Sequence, residues 1–167
     1  SATQEGGGIV RADRKGTGLV RITQVEARTD QVRGSTGLMT GEPSTLRFTY
    51  KAQRVPLPVH LVVDLINSRG EYCLHLNSDK LNKLIQLNDL QGVICCHMPR
   101  CHLVAGAYGM DVKVCASSGD VLDYTQHAVS IQVNEGDFYG QGRAPVPGTG
   151  SVLVDYAFGT DPPGREG

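Results

Sequence analysis

The run Cys95-Cys96-His97-Met98-Pro99-Arg100-Cys101-His102 gathers metal-binding and nucleophilic side chains into one short stretch. Zinc requires thiolate or imidazole donors converging tetrahedrally, often from CxxC-type knuckles. The spacing here is different, and in an extended strand Cys95 and Cys96 point to opposite faces. A buried thiol, a common state of free cysteine, is the better reading. Neither a metal nor a cofactor is expected. A Cys/His nucleophile pair meets the same geometric obstacle and lacks an orienting third group. The carboxylates are scattered, with no motif that sets up a glycosidase pair, and no GxxxxGK[ST] phosphate loop occurs. Catalysis is not expected, which leaves recognition.

Recognition needs polar side chains held on a surface, and the chain offers them by alternation. In Leu46 to Lys51, Leu46, Phe48 and Tyr50 take one face of a strand while Arg47, Thr49 and Lys51 take the other. In the next strand Val59, Leu61, Val63 and Leu65 oppose His60, Val62, Asp64 and Ile66. The turn residues Asn67 to Glu71 follow, and then Tyr72, Leu74 and Leu76 alternate with Cys73 and His75. Farther on, Leu103 to Ala116 sets Val104, Tyr108, Met110, Val112 and Val114 against Ala105, Ala107, Gly109, Asp111 and Lys113. Half of that second face is small, so a ligand or a sheet has room to approach the backbone. The outward set is therefore Arg47, Thr49, Lys51, His60, Asp64, His75, Asp111 and Lys113. Periodicity places Tyr72, Tyr108 and Phe48 in the core, with Tyr50 or Tyr124 at its edge.

The remaining elements fit one domain. Leu19 to Arg28 alternates imperfectly, as a bulged or doubly covered strand does. Gly92 to Met98 and Tyr124 to Val133 add strands, and Pro99 ends the first of them. Ser78 to Leu90 carries a two-turn helical spacing at Leu81, Leu84 and Ile85, and fits a loop with a short strand equally well. About seven strands with regular turns predict an all-β fold, an antiparallel β-sandwich of immunoglobulin-like or jelly-roll kind. Its expected extent is 19–133, after a flexible 1–18 approach. A Gly/Pro-rich linker follows at 134–150, then a strand at 151–158 and a tail at 159–167. That last strand, with Val152, Val154 and Tyr156 on one face and Leu153 on the other, must pair somewhere. It either folds back on its own sheet or crosses to a second copy.

With 167 residues the chain buries roughly 70% of its unfolded surface in a single core. Glycine, at 21 residues, and eight prolines suit many short strands and turns. The formal charge of −1 supplies no field to attract nucleic acid or an anionic membrane. No apolar run reaches the ~18 residues of a membrane span. Five cysteines, two of them adjacent, do not form a disulfide framework, so a reducing cytoplasm is expected.

The order of several short motifs carries a family resemblance. Gly16-Thr17-Gly18 precedes the strand Val20 to Glu26, and Thr40-Gly41-Glu42-Pro43 precedes Leu46 to Tyr50. Leu65 to Gly70, Leu76-Asn77-Ser78, Leu103 to Tyr108 and Gly119 to Tyr124 follow in turn. From Gly16 to Phe158 this resembles the C-terminal domain of Wzt, the ATPase subunit of bacterial ABC transporters that export lipid-linked O-antigen polysaccharide. The resemblance implies a non-catalytic immunoglobulin-like sandwich that binds the exported glycan. It also implies a homodimer formed by exchange of the last strand, attachment to an ATPase domain and a membrane permease in the full-length protein, and a place at the inner face of the inner membrane. On that reading the outward set would bind sugar. The chain departs from many glycan sites in having no Trp, so stacking falls to Tyr or gives way to hydrogen bonds. The alternative is a structural, dimer-forming sandwich without a sugar site.

Overall fold

The computed structural model describes residues 13–32, 37–146, 148 and 150–160. Most of the expected 1–18 approach and of the 159–167 tail lies outside them. Among the described residues nine strands run β1 (Val20–Thr29), β2 (Leu38–Met39), β3 (Ser44–Ala52), β4 (Leu57–Asn67) and β5 (Tyr72–Asn77), then β6 (Ile85–Leu87), β7 (Gln91–Met98), β8 (Gly106–Ala116) and β9 (Val121–Asn134). They form the expected all-β sandwich.

One sheet has the antiparallel order β1-β3-β7; the other runs β2-β9-β8-β4-β5, with β6 alongside the start of β4. The short β2 lies parallel to β9, which makes the second sheet mixed. The core forms where the alternating apolar faces meet. Leu46, Phe48 and Tyr50 of β3 are buried, as are Val59, Leu61, Val63 and Leu65 of β4 and Met110, Val112 and Val114 of β8. Removing one such side chain from water is worth about 1.5–3 kcal/mol. The imperfect alternation of β1 is a register shift between Ile22 and Gln24. Thr23 is the extra residue, and the shift lets Val20, Ile22 and Val25 all reach the core.

One open alternative is decided, in favour of a loop with a short strand at 78–90, and two expectations are corrected. Ser78 to Leu90 forms no α-helix: a single 3-10 turn covers Asp79–Leu81 without burying any residue, and Asn82 ends it in a left-handed conformation. The apolar residues that suggested a helix separate, Leu81 and Leu84 staying exposed while Ile85 and Leu87 pair with Val59 and Leu57. Ser151 to Phe158 is not a strand. Val152 makes one antiparallel bridge to Leu103, and the Leu153 N–H donates to His102 O at 2.8 Å. The segment thus lies back on its own chain without a ladder, Ser151 meeting Arg69 and Glu71, Asp155 meeting Arg100 and the Tyr156 ring edge-on to Tyr139, while Val154, Tyr156 and Phe158 stay exposed. Tyr72 does not enter the core; its side is reversed by a bulge described below.

Two stretches that composition reads as approach and linker hold firmly to the body. Lys15 bridges Tyr124, and the Gly18 N–H donates to Leu122 O at 2.9 Å. Arg14 and Arg21 converge on the buried Asp123 carboxylate at 2.5 and 2.8 Å, and Asp123 Oδ2 also accepts the Ile22 N–H. Within 134–150, Phe138 is fully buried, and the Arg100 guanidinium lies 3.6 Å from the centre of its ring.

Candidate functional site

β4, β5, β8 and β9 present a continuous outer face on the larger sheet. Because strand side chains alternate, residues in register on neighbouring strands stand side by side. His75 pairs with Asp64, and Asp64 with Asp111. In the adjoining row Asn77 pairs with Val62, Val62 with Lys113, and Lys113 with Tyr124. The polar residues of both rows come from four neighbouring antiparallel strands, so a rigid sheet fixes their spacing.

The first row is tightly bonded. His75 Nδ1 lies 2.6 Å from Asp64 Oδ1, which leaves Asp64 Oδ2 open to a further donor. Asp111 is only 3% exposed although its strand position faces outward. The covering group is His127, which sits in a bulge of β9 with φ 48° and donates its backbone N–H to Asp111 Oδ1 at 2.8 Å. A Cβ added at Gly109 would stand 2.9 Å from His127 Nδ1. The small-residue strip of β8 therefore receives a side chain of its own protein at Gly109. In the second row Lys113 Nζ stands 5.9 Å from the centre of the Tyr124 ring, a cation–π contact.

The sequence reading missed the aromatic member of this face. Between Leu65 and Ile66 the β4–β5 register slips, so that Leu74 opposes Leu65 while Tyr72 opposes Ile66. Cys73 is the extra residue, and it turns Tyr72 to the side of Asp64 and Asp111. Tyr72 is 66% exposed there. The Asp111 carboxylate, ahead of desolvation, Tyr124 and Asp64, pushes its phenol above the ordinary value. Nothing in Tyr72-Cys73-Leu74 signals the bulge, because the apolar alternation is unbroken across it.

The eight sequence-derived residues are not all brought together. Asp64, His75, Asp111 and Lys113 share the face just described. His60 lies on the same sheet but nearer the start of β4, turned toward Ser78 at 3.4 Å and Asp79 at 3.5 Å. Arg47, Thr49 and Lys51 occupy the outer side of the other sheet. There Arg47 lies 3.7 Å from Glu26 and 3.9 Å from Cys95 Sγ, and the carbonyl of Thr49 accepts from Thr23.

At the end of this sheet the β4–β5 turn meets the start of β8 and Gly148, Gly150 and Ser151 around a small polar hollow of about 300 Å³, lined by Asn67, Arg69 and Tyr108 among others. Arg69 is held 2.9 Å from Glu71, and the two side chains also reach the Ser151 hydroxyl at 3.3 Å. The turn was legible in Asn67 to Glu71; its meeting with residue 151 was not, since only the fold brings them together.

Among the described residues no three His, Cys, Asp or Glu side chains converge as a metal site. Cys95 and Cys96 diverge as strand geometry requires, one exposed and one partly buried, and all five cysteines are free thiols.

A sandwich with this strand order, bearing a polar and aromatic outer face and no phosphate loop, can be compared with known families. The Wzt C-terminal domain family matches residues 11–144. The chain belongs to that family. The crystal structure of the C-terminal domain of Wzt superposes with a TM-score of 0.71 at 15% identity, covering 95% of this chain and 93% of that one. A Niemann-Pick type C2 protein from the Japanese carpenter ant superposes with a TM-score of 0.45 at 6% identity, over 69% of this chain and 91% of that one. No curated protein matches the chain. Membership in the Wzt C-terminal family supports a carbohydrate-binding role in polysaccharide ABC transport. The family is the part of Wzt that lies outside its ATPase domain, and among the described residues no helix is long and apolar enough to cross a membrane.

Proposed function

We propose that this domain binds O-antigen polysaccharide for export by an ABC transporter, using the outer face of the larger sheet around Tyr72, Asp64 and His75. The observation that carries the reading is the β5 bulge, which sets an exposed aromatic ring beside a carboxylate–imidazole pair. A sugar ring has an apolar face and a rim of hydroxyls. The apolar face stacks on Tyr72, while Asp64 Oδ2 accepts from one hydroxyl and Lys113 donates to another. No bond is made or broken, so the domain is a recognition module. Asp111 is too deeply covered to meet sugar directly and serves to hold His127 and the floor of the site.

In the full-length protein the domain stands on an ATPase domain that works with a membrane permease, and it acts in the cytoplasm at the inner face of the inner membrane. Two copies associate through 151–158, where Val154, Tyr156 and Phe158 remain in water unless a partner covers them. That observation also favours the second reading, a dimer-forming sandwich with no sugar site.

Calorimetric titration with purified O-antigen from the same strain, and with an unrelated O-antigen as control, separates the two. Selective heat that is lost in Asp64→Ala and Tyr72→Ala supports the glycan reading and places it on this face. Absence of heat together with dimerisation that depends on 151–158 supports the scaffold alone.

A further inference from the structure

The two sheets close against each other along one side only. β1 lies against β9 and β2, whereas at the opposite side the edge strands β5 and β7 stand apart. Between them runs a cleft of about 820 Å³, within the roughly 300–1,000 Å³ of small-molecule sites. Its walls are the inner faces of the two sheets, with Leu61 and Leu76 on one side and Ile94, Cys96 and Met98 on the other. Leu61, Ile94 and Met98 are largely buried and Leu76 and Cys96 partly so, and the apolar surface they still show to the slot is surface that a hydrocarbon would cover.

The mouth has the opposite chemistry. Lys80 and Lys83 line one lip, on the 3-10 turn and the loop after it, with Arg100 on the other. Arg100 is answered by Asp155, while Lys80 and Lys83 have no ion partner among the described residues. Asp79, beside them, is turned to His60. Leu81 and Leu84 alternate with the two lysines and are exposed, so the lip itself is amphipathic.

We propose that this inter-sheet cleft binds a long-chain lipid phosphate, its hydrocarbon between the sheets and its phosphate at Lys80 and Lys83. An apolar slot selects for a chain, and two uncompensated ammonium groups at its entrance select for an anionic head. The cleft lies between the sheets and meets the outer face assigned to polysaccharide at the edge strand β5, where His75 and Asn77 border both; neither reading requires the other. The competing occupant is a second copy of the chain entering by its exposed 152–158 segment.

Cys96 reports on the cleft from within, and the exposed Cys95 next to it serves as the internal reference. The full chain is alkylated with N-ethylmaleimide, alone and with hexadecyl phosphate below its aggregation limit, and each thiol is followed by peptide mass spectrometry. Hexadecyl phosphate is expected to slow Cys96 and leave Cys95 unchanged, while inorganic phosphate and hexadecyltrimethylammonium do neither. Lys80→Glu combined with Lys83→Glu is expected to weaken the protection about tenfold, the worth of two modest ion pairs. Unprotected Cys96 in hexadecyl phosphate overturns the proposal, as does equal protection by the cationic amphiphile. Protection that rises with protein concentration in the absence of lipid also overturns it, in favour of the second copy.

Discussion

Tyr72 stands opposite Ile66 across β5 and β4, one residue out of step with the neighbouring pair Leu74 and Leu65. That slip decides whether the ring belongs to the core or to the surface, since a one-residue change of register exchanges the faces of a strand. The ring is left on the wet side beside Asp64 and His75, where its loss removes contact surface without opening a cavity.

Tyr72→Ala and Asp64→Ala are accordingly expected to leave the unfolding midpoint nearly unchanged, within about 0.5 kcal/mol. Each should weaken polysaccharide binding by roughly 1–3 kcal/mol. Arg47→Ala, on the other sheet, should do neither. Binding isotherms and urea unfolding of the three variants check this, and a strong effect of Arg47→Ala would move the site to the smaller sheet.

Asp123 is the buried carboxylate on which Arg14, Arg21 and the Ile22 N–H converge. Removing it takes the carboxylate from two guanidinium groups, which keep backbone carbonyl partners such as Ile22 O and Lys15 O, and from a backbone donor, so Asp123→Ala should cost about 3–5 kcal/mol. Arg21→Ala should cost less, because Arg21 is partly exposed and Arg14 remains in place. Chemical denaturation measures both, and equal losses would contradict the assignment of Asp123 as the hub.

Burial, the largest cause, together with Cys73 and Cys101 raises the Tyr108 phenol from 10.0 to about 12. The folded state thus holds its proton to higher pH than the unfolded chain, and the stability this adds is complete below pH 10. It is lost as pH rises through about 12, at about 1.36 kcal/mol per unit. Tyr108→Phe should be less stable at neutral pH, having lost the hydrogen bond to Val104 O, and should show a shallower alkaline decline. Parallel melting curves from pH 8 to 11.5 test the slope.

Gly136 is required for steric reasons. A Cβ there would lie 2.0 Å from the Thr40 carbonyl oxygen, which is backbone and cannot swing aside. Gly136→Ala should therefore destabilise by about 1–3 kcal/mol and loosen the packing of Phe138. Thermal unfolding reads the first effect, and faster proteolysis within 134–146 reads the second. A variant as stable as the parent would show that this segment is not anchored by its turn.

Much of the architecture follows from alternation alone. Leu46, Phe48 and Tyr50, and Val59 through Leu65, could bury one face only as strands, and the imperfect repeat of β1 fitted a bulge or a doubly covered strand, of which the bulge is found. The outward positions of Asp64, His75 and Lys113 follow from the same period, because a side chain's face is a local property of the backbone. Which outward residues become neighbours is not local. Strand order separates Arg47, Thr49 and Lys51 from Asp64 and His75 by the thickness of the sandwich. The β5 bulge moves Tyr72 across the sheet, and the β9 bulge closes His127 over Asp111. The short segment at 151–158 had the pattern of a strand, yet pairing depends on a free edge in reach, and among the described residues its ladder contact is the single bridge from Val152 to Leu103. Period and composition therefore determined the elements and their faces, while register, bulges and edge pairing, which are contacts between distant parts of the chain, decided the site.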